Sequence, residues 1–284
     1  MARIDEVVDG IYRLSTTFNE DGFDFQFNQF LINDERPALI HTGMYAMYDD
    51  IRAAVAEVLD PGRLEYVILL HFESDECGGM DRFLEGAPDS ALACSAASVA
   101  LNLAGWNYRG RVEGHHDGEL IDLGRHKLRF LETPHVHHWD SMMLFDETTK
   151  SLFPSDLFIQ PGDQPPVVTE RLGSEMCGFY REMGIFAHEQ PVRHVVDRID
   201  RLDPDWIHGM HGGSLARQTI PDFVRALREE PFAYQGKVLG RELPIETEPP
   251  RASISCRVST TIDRPSRSAA ATSPPPGPGT GEPS

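Results

Sequence analysis

The chain has 284 residues, 40% of them hydrophobic and 25% charged, enough to bury a core as one large domain or two small ones. A formal charge of −19 works against nucleic acid and against anionic membrane surfaces, whose phosphates it would repel. No apolar run approaches the ~20 residues that span a bilayer. The amino terminus has no apolar signal core, and Cys77, Cys94, Cys177 and Cys256 form no C-x-x-C pair, so a cytoplasmic setting with free thiols is expected.

Taken in order, Gly10 to Ser15 reads as a first strand and Asp24 to Ile32 as a second, with the polar stretch between them as a loop. Ala38 to His41 is a third strand. Ile51, Val55 and Leu59 recur at helical spacing, so Tyr48 to Leu59 is expected to be an amphipathic helix, ended by Pro61-Gly62. The apolar run Tyr66 to Leu70 reads as a buried strand. A short helix over Asp81 to Leu84, a strand over Ala91 to Cys94 and a small-residue helix over Ala96 to Leu103 follow. Between Arg109 and Asp146 the pattern is β-like, with Glu119 to Asp122, Lys127 to Glu132 and Met142 to Phe145 as strands, then a turn and Ser151 to Phe153. Gln160 to Leu172 is proline-rich and irregular. Glu175 to Phe186, Val192 to Leu202 and Pro221 to Arg228 read as helices. The body is expected to span 1–241. Residues 242–284, rich in Pro, Ser, Thr and Gly and basic at Arg251, Arg257, Arg264 and Arg267, cannot bury enough apolar surface to offset chain entropy and are expected to form a disordered tail.

Chemistry concentrates at the ends of the apolar runs. Directly after the Tyr66–Leu70 strand come His71, Glu73, Asp75 and Glu76, closed by Gly78-Gly79, whose backbone freedom suits a turning loop. His71, Glu73 and Asp75 are two apart, so even an extended path keeps them on one side. Three further pieces follow the same design: Thr133 to Met142 with His135, His137 and His138; Leu152 to Asp156; and Trp206 to Gly213 with His208 and His211. Histidines and carboxylates delivered from strand ends into one mouth make a metal site on a rigid scaffold. The residues alone leave His135, His137 and His138 as alternatives, and likewise His208 and His211. His115, His116, His126, His188 and His194 stand in polar or helical contexts and read as surface groups.

This set resembles the metallo-β-lactamase superfamily, with its H-x-H-x-D-H motif and later His, Asp and His ligands. It is more narrowly similar to the diiron domain of the flavodiiron proteins, whose first motif is H-x-E-x-D-H. His71, Glu73 and Asp75 match the narrower form. Pro134, His137 and Asp140-Ser141-Met142 match P-x-x-H-x-x-D-S-M, Asp156 the bridging carboxylate, and His211-Gly212 the last ligand. Asn28 to Ile32 resembles an N-x-Y-L-I strand. The likeness covers roughly Asp5 to Glu230 and implies an α/β (α+β) metallo-β-lactamase-like αββα sandwich, two mixed sheets with helices outside.

The resemblance also implies the ligand set: one ion on His71, Glu73 and His137, a second on Asp75 and His211, and Asp156 between them. The chain departs at Glu76, where the family has a second His, so Glu76 is an open ligand. It departs again at His41, where many relatives have Asp; a lone His there reads as a packed or hydrogen-bonded group.

Four carboxylates and three imidazoles suit two iron ions. The negative charge outweighs two divalent ions and does not oppose trivalent ones, and two histidines with a carboxylate is a non-haem iron pattern. The expected function is therefore a stand-alone diiron protein that binds or reduces O2 or NO, or senses oxygen. No FMN is expected in this chain. Electrons would come from a flavodoxin, rubredoxin or reductase partner, and a homodimer is admissible. The rival is a dinuclear zinc hydrolase working through metal-bound hydroxide; Glu73, in place of the hydrolase's second His, favours iron.

Overall fold

The computed structural model describes residues 2–20, 23–106 and 108–242. They lie in one unit, Met1–Pro244; the rest of the expected tail, from 243 on, and Cys256 within it lie outside the described residues.

Strands β1 (Arg3–Val8), β2 (Ile11–Glu20), β3 (Phe23–Ile32), β4 (Ala38–Ile40), β5 (Tyr66–Ile68), β6 (Ala91–Ser95) and β7 (Arg111–His115) form one sheet in that order. The first four are antiparallel, and β4 to β7 are parallel. The second sheet contains β8 (Leu120–Asp122), β9 (Lys127–Glu132), β10 (Met142–Asp146), β11 (Ser151–Phe153), β12 (Val167–Val168), β13 (Trp206–Ile207) and β14 (Ser214–Ala216), ordered β12-β14-β13-β11-β10-β9-β8.

Strand periodicity builds the layers, because alternate side chains leave opposite faces. Ala38 and Ile40, Tyr66 and Ile68, and Ala91 and Ala93 turn inward to meet Leu128, Phe130, Met142, Leu144 and Phe153 of the other sheet. The interleaved Leu39, Val67, Leu92 and Cys94 turn outward onto Ile51, Val55 and Phe83 from the helices Tyr48–Val58 and Met80–Gly86. On the far side Leu131, Met143, Phe145 and Leu152 pack on Met176, Tyr180, Val192, Val196 and Phe223, from the helices Gly173–Met183, Glu189–Leu202 and Ile220–Glu229. The result is the expected four-layer αββα sandwich.

Several local expectations change. Residues 16–20 are strand rather than loop: β2 and β3 stay paired from Ile11↔Ile32 through Thr16↔Phe27 to Asn19↔Asp24. Polar side chains on a two-stranded extension concealed it, since the ladder there needs no continuous core. Strand β1 at one sheet's edge, β12 at the other's, and β14 beside β12 are strands that short apolar content did not announce. The small-residue helix runs through Ala96–Ser98, a π-wound Val99–Leu103 and Ala104–Trp106. Among the histidines read as surface groups, His126 is wholly buried against Asp146 (Nδ1 to Oδ2, 2.8 Å), and His115 is buried with its ring stacked on Phe130. A buried carboxylate supplies the partner that a polar local context hid.

Main-chain hydrogen bonds tie the sheets together at one end: Met142 N–H donates to Leu70 O and Asn28 N–H to Met210 O, both at 2.8 Å. The site opens at that end.

Candidate metal centre

The carboxyl ends of β4, β5, β9, β11 and β13 all feed this end, the usual place for a ligand in a sheet with parallel strands. His71 follows β5, His137 lies between β9 and β10, Asp156 follows β11 and His211 follows β13. The Asp75–Glu76 stretch is a helical turn, Ser74–Cys77, rather than an extended loop. The glycines after it answer to crowding rather than to flexibility. Gly78 keeps an ordinary right-handed backbone, and a Cβ there would stand 2.5 Å from Ser74 O and 2.6 Å from Tyr45 N; one on Gly79 would stand 2.7 Å from Thr42 O.

Seven side chains converge as two groups. His71, Glu73, His137 and Asp156 form one, and Asp75, Glu76 and His211 the other; within each, the ligating atoms lie within 4.8 Å of one another. His137 Nε2 is 2.9 Å from Asp156 Oδ2 and 3.2 Å from Glu73 Oε2. His71 Nε2 stands 3.4 Å from both Glu73 Oε2 and Asp156 Oδ2, and 3.5 Å from Glu76 Oε2. His211 Nε2 is 3.4 Å from Asp156 Oδ1 and 3.6 Å from Asp75 Oδ2. Of the alternatives left open, His138 sits half-buried at the edge, 3.7 Å from Glu73, and His135 is exposed. His208 is buried elsewhere, its Nδ1 2.8 Å from Ser214 Oγ.

Second contacts aim the imidazoles. The His211 Nδ1–H donates to Gln26 O at 2.7 Å, which leaves Nε2 for the cluster, and Phe25 stacks on the same ring at 4.3 Å. His71 Nδ1 bonds Ser155 Oγ at 2.7 Å. Partners of this kind orient a metal-ligating His and set its tautomer. Below His211, the buried Arg13 donates to Asn28 Oδ1, Gln26 Oε1 and Gly212 O, and Asn28 donates to Gly209 O and Gly212 O. Sequence reasoning missed Arg13, Gln26 and Ser155. Ser155 adjoins Asp156, and Arg13 shares strand parity with Ile11, which faces the other sheet, so faint signals existed for both.

The electrostatics fit a cation site. Burial by itself lowers an imidazole's pKa, yet Asp156 and Glu73 outweigh it and bring His71 to about 9 and His137 to about 10. Burial pushes the Asp156 carboxyl up, but His71, His137 and His211 hold it well below the usual range. Glu76 goes the other way, raised by burial and then by Asp156 and Asp75. Buried carboxylates this close need positive charge between them. The buried His71 Nε2, Asp156 Oδ1 and both Glu76 oxygens have no hydrogen-bond partner, an arrangement that native cores avoid unless something else binds there. The oxygen-and-imidazole donor set suits iron or zinc.

Fold and site together define a metallo-β-lactamase-type protein with a carboxylate-rich cluster at the mouth of its sandwich. The chain belongs to the ODP family of beta lactamases, whose family model matches residues 25–212. It is 29% identical over 201 residues to flavo-diiron protein FprA2 of Clostridium acetobutylicum, covering 68% of this chain and 50% of that protein. It is 28% identical over 138 residues to a nitric oxide reductase of Moorella thermoacetica, covering 47% of this chain and 34% of the relative. In three dimensions it resembles rubredoxin oxygen:oxidoreductase of Desulfovibrio gigas, with a TM-score of 0.71 at 19% identity over 80% of this chain and 61% of that one. The chain thus spans half or less of these curated relatives' length.

Proposed function

We propose that this chain is a non-haem diiron protein that binds or reduces O2 or NO, with electrons supplied by a flavodoxin, rubredoxin or reductase partner, or that senses oxygen with the same centre. One iron would sit on His71, Glu73 and His137, the other on Asp75 and His211 with Glu76 as a further ligand, and Asp156 would serve both. The observation that carries this reading is the donor chemistry of the first group, two imidazoles with Glu73 and Asp156. Relatives named as a flavo-diiron protein and a nitric oxide reductase support it.

Bound iron would supply electrons and open coordination positions to a diatomic. The chain's own residues do the rest. Ser155 and Gln26 hold the ligand rings in orientation. Phe25, Phe27 and Phe186 wall the histidines with apolar rings that keep water from that side. Glu73 and His138, both partly exposed, form the wet edge through which a proton can reach the centre.

Protein produced with ample iron should contain about two irons per chain, with a visible spectrum that bleaches on anaerobic reduction and returns on exposure to O2 or NO. Stoichiometric zinc, with no response to either gas, would overturn the reading.

A further inference from the structure

Behind the cluster, His41 and Glu76 face each other at 0% exposure. His41 follows β4 with a φ of 63°, a left-handed backbone that a residue with a Cβ adopts only when its surroundings enforce it. The turn brings its ring back so that Nε2 accepts the Leu70 N–H at 3.2 Å. A ring nitrogen that accepts carries no proton, so the neutral imidazole bears its proton on Nδ1. Nδ1 has no partner, and it stands 4.0 Å from Glu76 Oε1. Both Glu76 oxygens are themselves unpartnered.

The backbone on either side is clamped. Thr42 N–H and Oγ–H both donate to Glu76 O, at 2.7 and 2.8 Å, and Gly79 N–H donates to Gly43 O at 2.9 Å. Only the Glu76 side chain is left to adjust. Its second oxygen points at the cluster, 3.5 Å from His71 Nε2 and grouped with Asp75 and His211. A buried donor and a buried acceptor left facing each other unpaired are costly, whereas pairing them fixes the carboxylate's orientation.

We infer that His41 is a positioning residue, whose Nδ1–H secures one oxygen of Glu76 so that the other serves as the third ligand of the Asp75–His211 group. The inference rests on the dinuclear reading above and deepens it. Without that donor, Glu76 faces Asp75 and Asp156 with nothing on its far side to hold it, and the second ion keeps only two protein ligands besides the shared Asp156.

The test is a Co²⁺ titration of the full chain stripped of metal, followed by the visible absorption of the bound ion, which reports coordination whatever metal the protein uses in the cell. The unaltered chain should take up a pair of ions. His41→Leu should lose the second while keeping the first. His41→Gln, whose amide can accept from Leu70 and donate to Glu76, should keep both. Because His41 acts through Glu76, E76Q and the H41L/E76Q double variant should bind alike, a non-additivity the double-mutant cycle reads directly. An H41L chain that binds both ions with the unaltered spectrum overturns the inference, as do losses that simply add. If H41L fails to fold by circular dichroism, His41→Gln decides: retention of the second ion supports the role, and its loss overturns it. A single Co²⁺ on the unaltered chain overturns the dinuclear reading, and this inference with it.

Discussion

Asp156 divides its carboxylate between the two halves of the site. Oδ2 lies 2.9 Å from His137 Nε2, and Oδ1 lies 3.4 Å from His211 Nε2. One side chain therefore approaches a histidine of each of the two groups, and it does so because it leaves the end of β11 at the centre of the mouth. Asp156→Ala should reduce bound metal from about two ions per chain to nearly none, whereas His211→Ala should leave about one. Since metal binding is linked to folding, the Asp156 variant's thermal midpoint should also stop responding to added metal. Elemental analysis with a thermal melt checks this; an Asp156→Ala chain that keeps one tightly held ion would show that the aspartate is not shared.

The Arg13 network supports His211 from below. Its guanidinium is 1% exposed, and burial lowers its pKa only to about 10, so it stays charged at neutral pH. Arg13→Met would leave Asn28 Oδ1 without its donor and take one of two donors from Gln26 Oε1, which also accepts from Gln164 N–H, and from Gly212 O, which also accepts from Asn28. Leaving a buried polar acceptor without its donor costs about 1–3 kcal/mol. Chemical denaturation should show that loss, together with weaker uptake of the second metal, because Gly212 directly follows His211. A stability change within about 0.5 kcal/mol, the scatter of ordinary surface substitutions, would mean that water replaces the guanidinium.

The side chains that converge at the mouth were legible in the sequence because most stand just past a short apolar run, with Gly, Pro or Ser close by. That placement survives any small error in strand boundaries. The αββα class was legible through resemblance, while the pattern of strands and helices only admitted it. What the sequence concealed depended on contacts across the fold. The paired residues 16–19 carry Thr, Phe and Asn in no telling alternation, yet the hairpin they extend brings Phe25 onto His211. His126 looks polar until Asp146 arrives from twenty residues away. The Asp75–Glu76 turn is helical because its backbone docks on Thr42, which no local spacing reveals.

The boundary after the sandwich can be tested directly. Lys237–Val238 and Arg241–Glu242 pair as a small hairpin, and the Leu239 and Gly240 amides donate to Met183 O and Glu182 O at the end of a core helix. Ending the chain after Glu242 keeps all of these, so metal content and thermal midpoint should match the full chain. A clear drop in either would show that the body depends on residues beyond 242.

His208 offers a pH test separate from the metal cluster. The ring is wholly buried between Ser214 and Ser151, and burial lowers its pKa from 6.5 to about 3. It is neutral in the fold at every pH above that value, while an unfolded chain takes up a proton below about 6.5. The unfolded state then binds more protons, so this group's contribution is intact above about 6.5 and is lost as pH falls towards 3, at about 1.4 kcal/mol per pH unit. In His208→Gln the amide can still bond Ser214, but no titrating ring remains. The variant should be less stable than the unaltered chain at pH 7, through imperfect packing, and the gap should narrow by roughly 3 kcal/mol by pH 4. Denaturant melts of both proteins across that range supply the measurement. Parallel pH curves would show that the buried ring takes a proton in the folded state and that its two serine partners accommodate the charge.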